Sequence, residues 1–113
     1  MNRFNVRLSI QYGPELRKLV SDYSVNMSTG GVYIETPDNL PVGTPLFVQF
    51  TLPTREAPVT CKARVAWTNE QGNPRTSSLP PGMGLQFFCL SLENSGELRE
   101  FLHRTIVPLP ATV

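Results

Sequence analysis

A chain of 113 residues has room for one domain with a real hydrophobic core and is too short for two. Its composition, 40% hydrophobic and 17% charged, excludes a disordered polyelectrolyte. A formal net charge of +1 excludes a bulk electrostatic footprint for DNA or for an anionic membrane, though not a local cluster of arginines gripping one small anion.

The first segment alternates strictly. Phe4, Val6, Leu8, Ile10 and Tyr12 point one way and Asn5, Arg7, Ser9 and Gln11 the other, which predicts a strand broken by Gly13-Pro14. A second strand is expected over residues 16–24, and a short third over Val32 to Thr36, opened by Gly30-Gly31. Residues 37–44 carry two proline turns. Leu46, Val48, Phe50 and Leu52 share a face in a fourth strand. The fifth is the clearest, with Val59, Cys61, Ala63, Val65 and Trp67 alternating against Thr60, Lys62, Arg64 and Ala66. A polar loop covers 69–81. A sixth strand, Gly82 to Leu90, aligns Met83, Leu85, Phe87 and Cys89 on one side. Trp67 and Phe87 are thereby expected in the core, and both cysteines as buried, reduced thiols. The period then changes. Leu92, Leu98, Phe101, Leu102 and Ile106 form a helical stripe with Ser91, Asn94 or Ser95 as the cap, and Pro108 and Pro110 stop it. Six strands and one C-terminal helix without βαβ alternation predict an all-β antiparallel fold, a small barrel or sandwich.

No apolar core of signal-peptide length opens the chain, and no run approaches the roughly 20 apolar residues of a membrane span. The expectation is a cytoplasmic protein without membrane insertion. Catalytic chemistry finds no foothold. His103 is the single histidine, placed near the end of the predicted helix, where the dipole favours its protonated form. One His and two distant Cys do not match zinc-ligand spacing. Gly82-x-Gly84 opens a strand and lacks the context of a dinucleotide fingerprint. No enzyme activity, metal or cofactor is expected.

The segment Asn26-Met27-Ser28-Thr29-Gly30-Gly31 is the informative one. It reads locally as a tight connection, because Asn and Ser bond nearby backbone and Gly permits unusual φ. Asn26-x-Ser28-x-x-Gly31 also matches the D/N-x-S-x-x-G signature of PilZ domains. The likeness continues through Gly31-Val32-Tyr33-Ile34-Glu35-Thr36, Leu40-Pro41-Val42-Gly43-Thr44, Ala63-Arg64-Val65-Ala66-Trp67 and Pro81-Gly82-Met83-Gly84-Leu85-Gln86-Phe87, in family order over nearly the whole chain. The chain thus resembles a PilZ domain, in the manner of a subgroup found in myxobacteria and other deltaproteobacteria. The resemblance implies a six-stranded antiparallel β-barrel over residues 1–113 and a candidate cyclic di-GMP ligand. In the family, an R-x-x-x-R stretch ahead of the first strand bonds phosphate and guanine and stacks on the bases, as a planar guanidinium can. Arg3-Phe4-Asn5-Val6-Arg7 satisfies that pattern, so the implied ligand-binding set is Arg3, Arg7, Asn26, Ser28 and Gly31, with Arg17 or Lys18 as additional charge. A second register is open: if the strand starts at Phe4, Arg7 is an outward strand residue and Arg3 alone takes the place of the second family arginine. Two functions follow. One is a cyclic di-GMP receptor that relays its state to a protein partner. The other is a nucleotide-independent interaction module in motility or cell polarity.

Overall fold

A computed structural model describes residues 3–70 and 78–105. Among them the elements are β1 (Phe4–Asn5), β2 (Ser9–Gly13), β3 (Val20–Ser28), β4 (Gly31–Glu35), β5 (Pro45–Phe50), β6 (Val59–Asn69), β7 (Gly82–Phe88) and α1 (Leu92–Thr105). All strand pairings are antiparallel. The ladder runs β3-β2-β5-β6-β7-β4, and β4 pairs back onto β3, closing a six-stranded barrel. Closure leaves that ladder without a free edge, which is how a short all-β chain avoids edge-to-edge association.

The first predicted strand is divided. β1 and β2 both pair with β3, but Asn5 stands opposite Asn26 whereas Ser9 stands opposite Tyr23, a register offset of one residue. The buried Ser24 hydroxyl fills the gap. It accepts the Leu8 N–H at 2.8 Å and donates to the Val6 carbonyl, supplying the partners that the interrupted ladder withholds.

Two bulges shift the phase of the strands. Ser24 pairs with Ile34 but Asn26 with Tyr33, leaving Val25 as the additional residue of β3. Ser24 therefore faces inward, and after the bulge it is Met27 that enters the core while Asn26 and Ser28 turn to the outer wall. Val65 pairs with Leu85 but Trp67 with Gly84, so Ala66 plays the same part in β6.

Several expectations are corrected here. Trp67 is not a core residue: the bulge turns it outward, where it is 40% exposed. Phe87 is in the core, its ring 6.0 Å from that of Phe50. Cys61 is buried as expected, but Cys89 is exposed, because β7 ends at Phe88 and Cys89 takes a left-handed φ of 58° to turn toward the helix. The second strand begins at Val20 rather than Leu16. Pro14 to Lys18 form a turn in which Lys18 N–H bonds the Glu15 carbonyl at 3.0 Å. In α1, Leu98, Phe101 and Leu102 join the core while Leu92 projects into solvent. Ser91 is the cap, its hydroxyl accepting Asn94 N–H at 3.0 Å. His103 meets the edge of Phe4 at 5.0 Å, and Arg55 ties the β5–β6 connection to Asn94 and Glu97. Ile106, Pro108 and Pro110 lie outside the described residues.

Candidate ligand site on the outer wall of β3 and β4

Asn26 and Ser28 belong to β3 itself, and the turn proper is only Thr29-Gly30. Their outward direction follows from the bulge at Val25, and β1, laid beside them, delivers Arg3. Its Nε donates to Asn26 Oδ1 at 2.7 Å and its Nη1 to Ser28 Oγ at 3.3 Å. Ser28 Oγ also accepts the Gly30 N–H at 3.1 Å, which fixes its rotamer through the turn. Burial pushes the Arg3 guanidinium below its ordinary pKa, yet arginine keeps its proton in any accessible pH range. The result is a half-buried cation held over an amide and a hydroxyl.

Gly31 opens β4 beside this pair, opposite Ser28 of β3 on one side and Gln86 of β7 on the other. A Cβ there would lie 2.2 Å from the Leu85 carbonyl oxygen, so close approach of β4 to β7 alone accounts for glycine.

Arg7 does not converge with Arg3. It lies on the outer face over the Tyr23 ring, 4.2 Å from the centroid, with Nη1 3.8 Å from the Glu35 carboxylate. Both partners of this ion pair are largely solvated, which makes it weak. The strand has begun at Phe4, as the second register expects, but Arg7 falls in the break between β1 and β2 and points outward beside the site. Arg17 and Lys18 sit in the β2–β3 turn, and Lys18 borders a different cavity, of about 300 Å³, with Tyr12, Asp22 and Asp38.

Sequence reasoning missed the aromatic continuation of the wall. Asn26, Tyr33, Gly84 and Trp67 form one cross-strand row over β3, β4, β7 and β6. Trp67 lies on Gly84, where a Cβ would meet the indole Nε1 at 2.2 Å, and stacks on Tyr33 with centroids 5.0 Å apart and planes 15° from parallel. The Tyr33 hydroxyl donates to the Pro80 carbonyl at 2.5 Å and accepts from Asn69 Nδ2 at 3.1 Å. The available signal was Gly84 beside a tryptophan in neighbouring strands, a pairing that marks close ring-on-backbone packing.

Among the described residues no group of three or more His, Cys, Asp or Glu can hold a metal, and no helix is long and apolar enough to cross a membrane. The architecture is a small closed barrel that presents polar side chains and a cation on its outer wall. The PilZ domain family model matches residues 2–104. Among solved structures, the Bacillus subtilis inhibitor of motility MotI/DgrA superposes with a TM-score of 0.75 at 21% identity, covering 91% of this chain and 48% of that one. The PilZ domain of CeSA from a cellulose-synthesizing bacterium gives 0.61 at 13% identity, covering 91% and 97%. This chain spans about half the length of MotI/DgrA. No curated protein matches it in sequence. The chain belongs to the PilZ domain family.

Proposed function

We propose that this domain is a cytoplasmic signalling module that takes cyclic di-GMP on the outer wall of β3 and β4 and passes its state to a protein partner without itself catalysing a reaction. The observation that carries this reading is the convergence of Arg3 on Asn26 and Ser28. In this scheme Asn26 and Ser28 bond a guanine edge, Gly31 admits it close to the backbone, and Arg3 bonds phosphate or guanine and stacks. Arg7 swings from Glu35 to a second phosphate. Because Arg3 already occupies Asn26 and Ser28, the ligand exchanges bonds rather than adding them, and the displaced segment leading into β1 becomes the moving part. Titration calorimetry with cyclic di-GMP tests this. The expected result is saturable heat that Ser28→Ala and Arg3→Ala each reduce. No heat at about 50 μM ligand, where a complex of low-micromolar Kd would saturate, rejects it.

A second reading is favoured by the pairing of Phe4–Asn5 with β3 and by the engagement of both arginines without ligand. On this reading Arg3 is a structural clasp and the domain is a nucleotide-independent interaction module. MotI/DgrA, by name an inhibitor of motility, makes motility proteins the first partners to test.

A further inference from the structure

On the wall opposite β3, the outer faces of β5 and β6 enclose a groove of about 500 Å³. Cross-strand pairing builds it. Lys62 stands between Phe47 and Phe88, and Arg64 between Pro45 and Gln86. Arg64 is held in place, its Nε donating to Gln86 Oε1 at 3.2 Å and its guanidinium 5.2 Å from the centre of the Phe88 ring. Phe88 is 38% exposed, a large apolar surface between Arg64 and its cross-strand neighbour Lys62. The groove lining contains two cations and no carboxylate. Among the described residues the ion pairs are Arg7–Glu35, Arg55–Glu97 and Arg104–Glu100, so neither Lys62 nor Arg64 is neutralised. Glu15 and Arg17 border the far side of Phe47 and contribute one charge of each sign.

We infer that this groove docks an extended acidic segment of a partner protein, with carboxylates at alternate positions and apolar residues flanking them. The spacing supports the match. Lys62 and Arg64 are two residues apart on one face of β6, about 6.6 Å, and alternate side chains of an extended peptide repeat at the same distance. Arg64, pre-aligned by Gln86 and Phe88, presents its fork to one carboxylate with little rotamer freedom left to lose. Lys62 meets the other, and Phe47, Phe88 and Pro45 cover the flanking apolar groups. This surface is independent of any nucleotide on the β3–β4 wall.

The test uses the whole chain and a fluorescein-labelled peptide with the core Leu-Pro-Glu-Ser-Glu-Pro-Leu, followed by anisotropy and by amide chemical-shift mapping. The expected result is saturable binding with shifts at Phe47, Lys62, Arg64 and Phe88 and none at Asn26 or Ser28. Lys62→Glu, Arg64→Glu and a Gln-Ser-Gln peptide should each weaken binding by about tenfold or more, the scale of a lost charge-assisted bond. The amide spectrum away from the groove should stay unchanged in both variants, because both side chains are exposed. Equal binding of the Gln peptide, shifts elsewhere, or no binding of either peptide overturns the inference. So does displacement of the peptide by a lower concentration of oligothymidylate, which assigns the groove to single-stranded nucleic acid. Self-association abolished by Arg64→Glu assigns it instead to a second copy of the chain.

Discussion

Replacing Arg3 by alanine removes both bonds that close the β3–β4 site, Nε to Asn26 Oδ1 and Nη1 to Ser28 Oγ. A hydrogen bond with a charged donor contributes about 1.5–3 kcal/mol. Three features lower that figure here. Arg3 is only half-buried, so solvent screens it; Ser28 keeps Gly30 N–H as a partner; and deletion lets water reach Asn26. The net loss is set mainly by the short Asn26 bond, about 1–2 kcal/mol, or a fall in Tm of about 5–10 °C for a domain of this size. Arg7→Ala is the internal control. Its exposed 3.8 Å ion pair and its contact with Tyr23 predict a loss below about 1 kcal/mol. Urea denaturation of the two variants, with Asn26→Ala and the Arg3/Asn26 double variant, completes a cycle whose coupling should reach about 1 kcal/mol. Equal losses for Arg3→Ala and Arg7→Ala, or a coupling indistinguishable from zero, would show that Arg3 does not clasp Asn26 and would remove the basis for placing a ligand there.

Trp67→Ala should destabilise by about 1–2.5 kcal/mol, short of the 3–5 kcal/mol typical of a fully buried aromatic, because the ring lies outside the barrel; a loss at the upper figure in chemical denaturation would place it back in the core. Ser24→Ala should lower stability by about 1–3 kcal/mol and speed hydrogen exchange of the Leu8 amide, since Leu8 N–H and the Val6 carbonyl lose the hydroxyl they share; unchanged exchange at Leu8 contradicts the bridge. Alkaline unfolding should be pronounced. Burial, aided by the bond to Asp22, raises Tyr12 from 10.0 to about 12, and burial raises Cys61 from 9.0 to about 11. For groups whose folded pKa is raised, the stabilising contribution is complete below about pH 9 and is lost as pH climbs to between 11 and 12. Tyr12→Phe should flatten the upper part of that decline in a pH series of denaturation midpoints.

Strand identity and barrel class were legible because burial on one face writes itself as alternation, as in Ile10 and Tyr12 or Val59 to Val65. The cap at Ser91 and the helical stripe of Leu98, Phe101 and Leu102 were legible for the same kind of reason. The facing of Trp67 was not. Alternation extrapolates a strand in constant phase, whereas a bulge is a property of two strands and their registers, invisible along one. The split between β1 and β2 was hidden likewise, since Phe4 to Tyr12 alternate in burial straight through it while the ladder changes register. Of the candidate site, the motif placed Asn26, Ser28 and Gly31 together, whereas alternation put Arg3 and Arg7 on the same outward face and left open which of them reaches the motif; only the fold brings Arg3 onto Asn26 and Ser28. The aromatic row through Tyr33 and Trp67 escaped because both residues read as ordinary interior positions of strands.

The extra residue at Val25 makes the location of the motif a matter of parity. Asn26 and Ser28 lie on the outer wall, covered by Arg3, because an odd number of residues has been inserted into β3 ahead of them, not because of their own polarity. Point substitutions at Val25 that preserve extended backbone leave that parity intact, whereas a single-residue deletion reverses it, sending Met27 outward and a polar pair into the barrel. The wall carrying the motif should thus tolerate changes of letter near its bulge far better than changes of length, and a homologue that keeps the Asn-x-Ser-x-x-Gly letters but lacks the extra residue would display a different surface altogether.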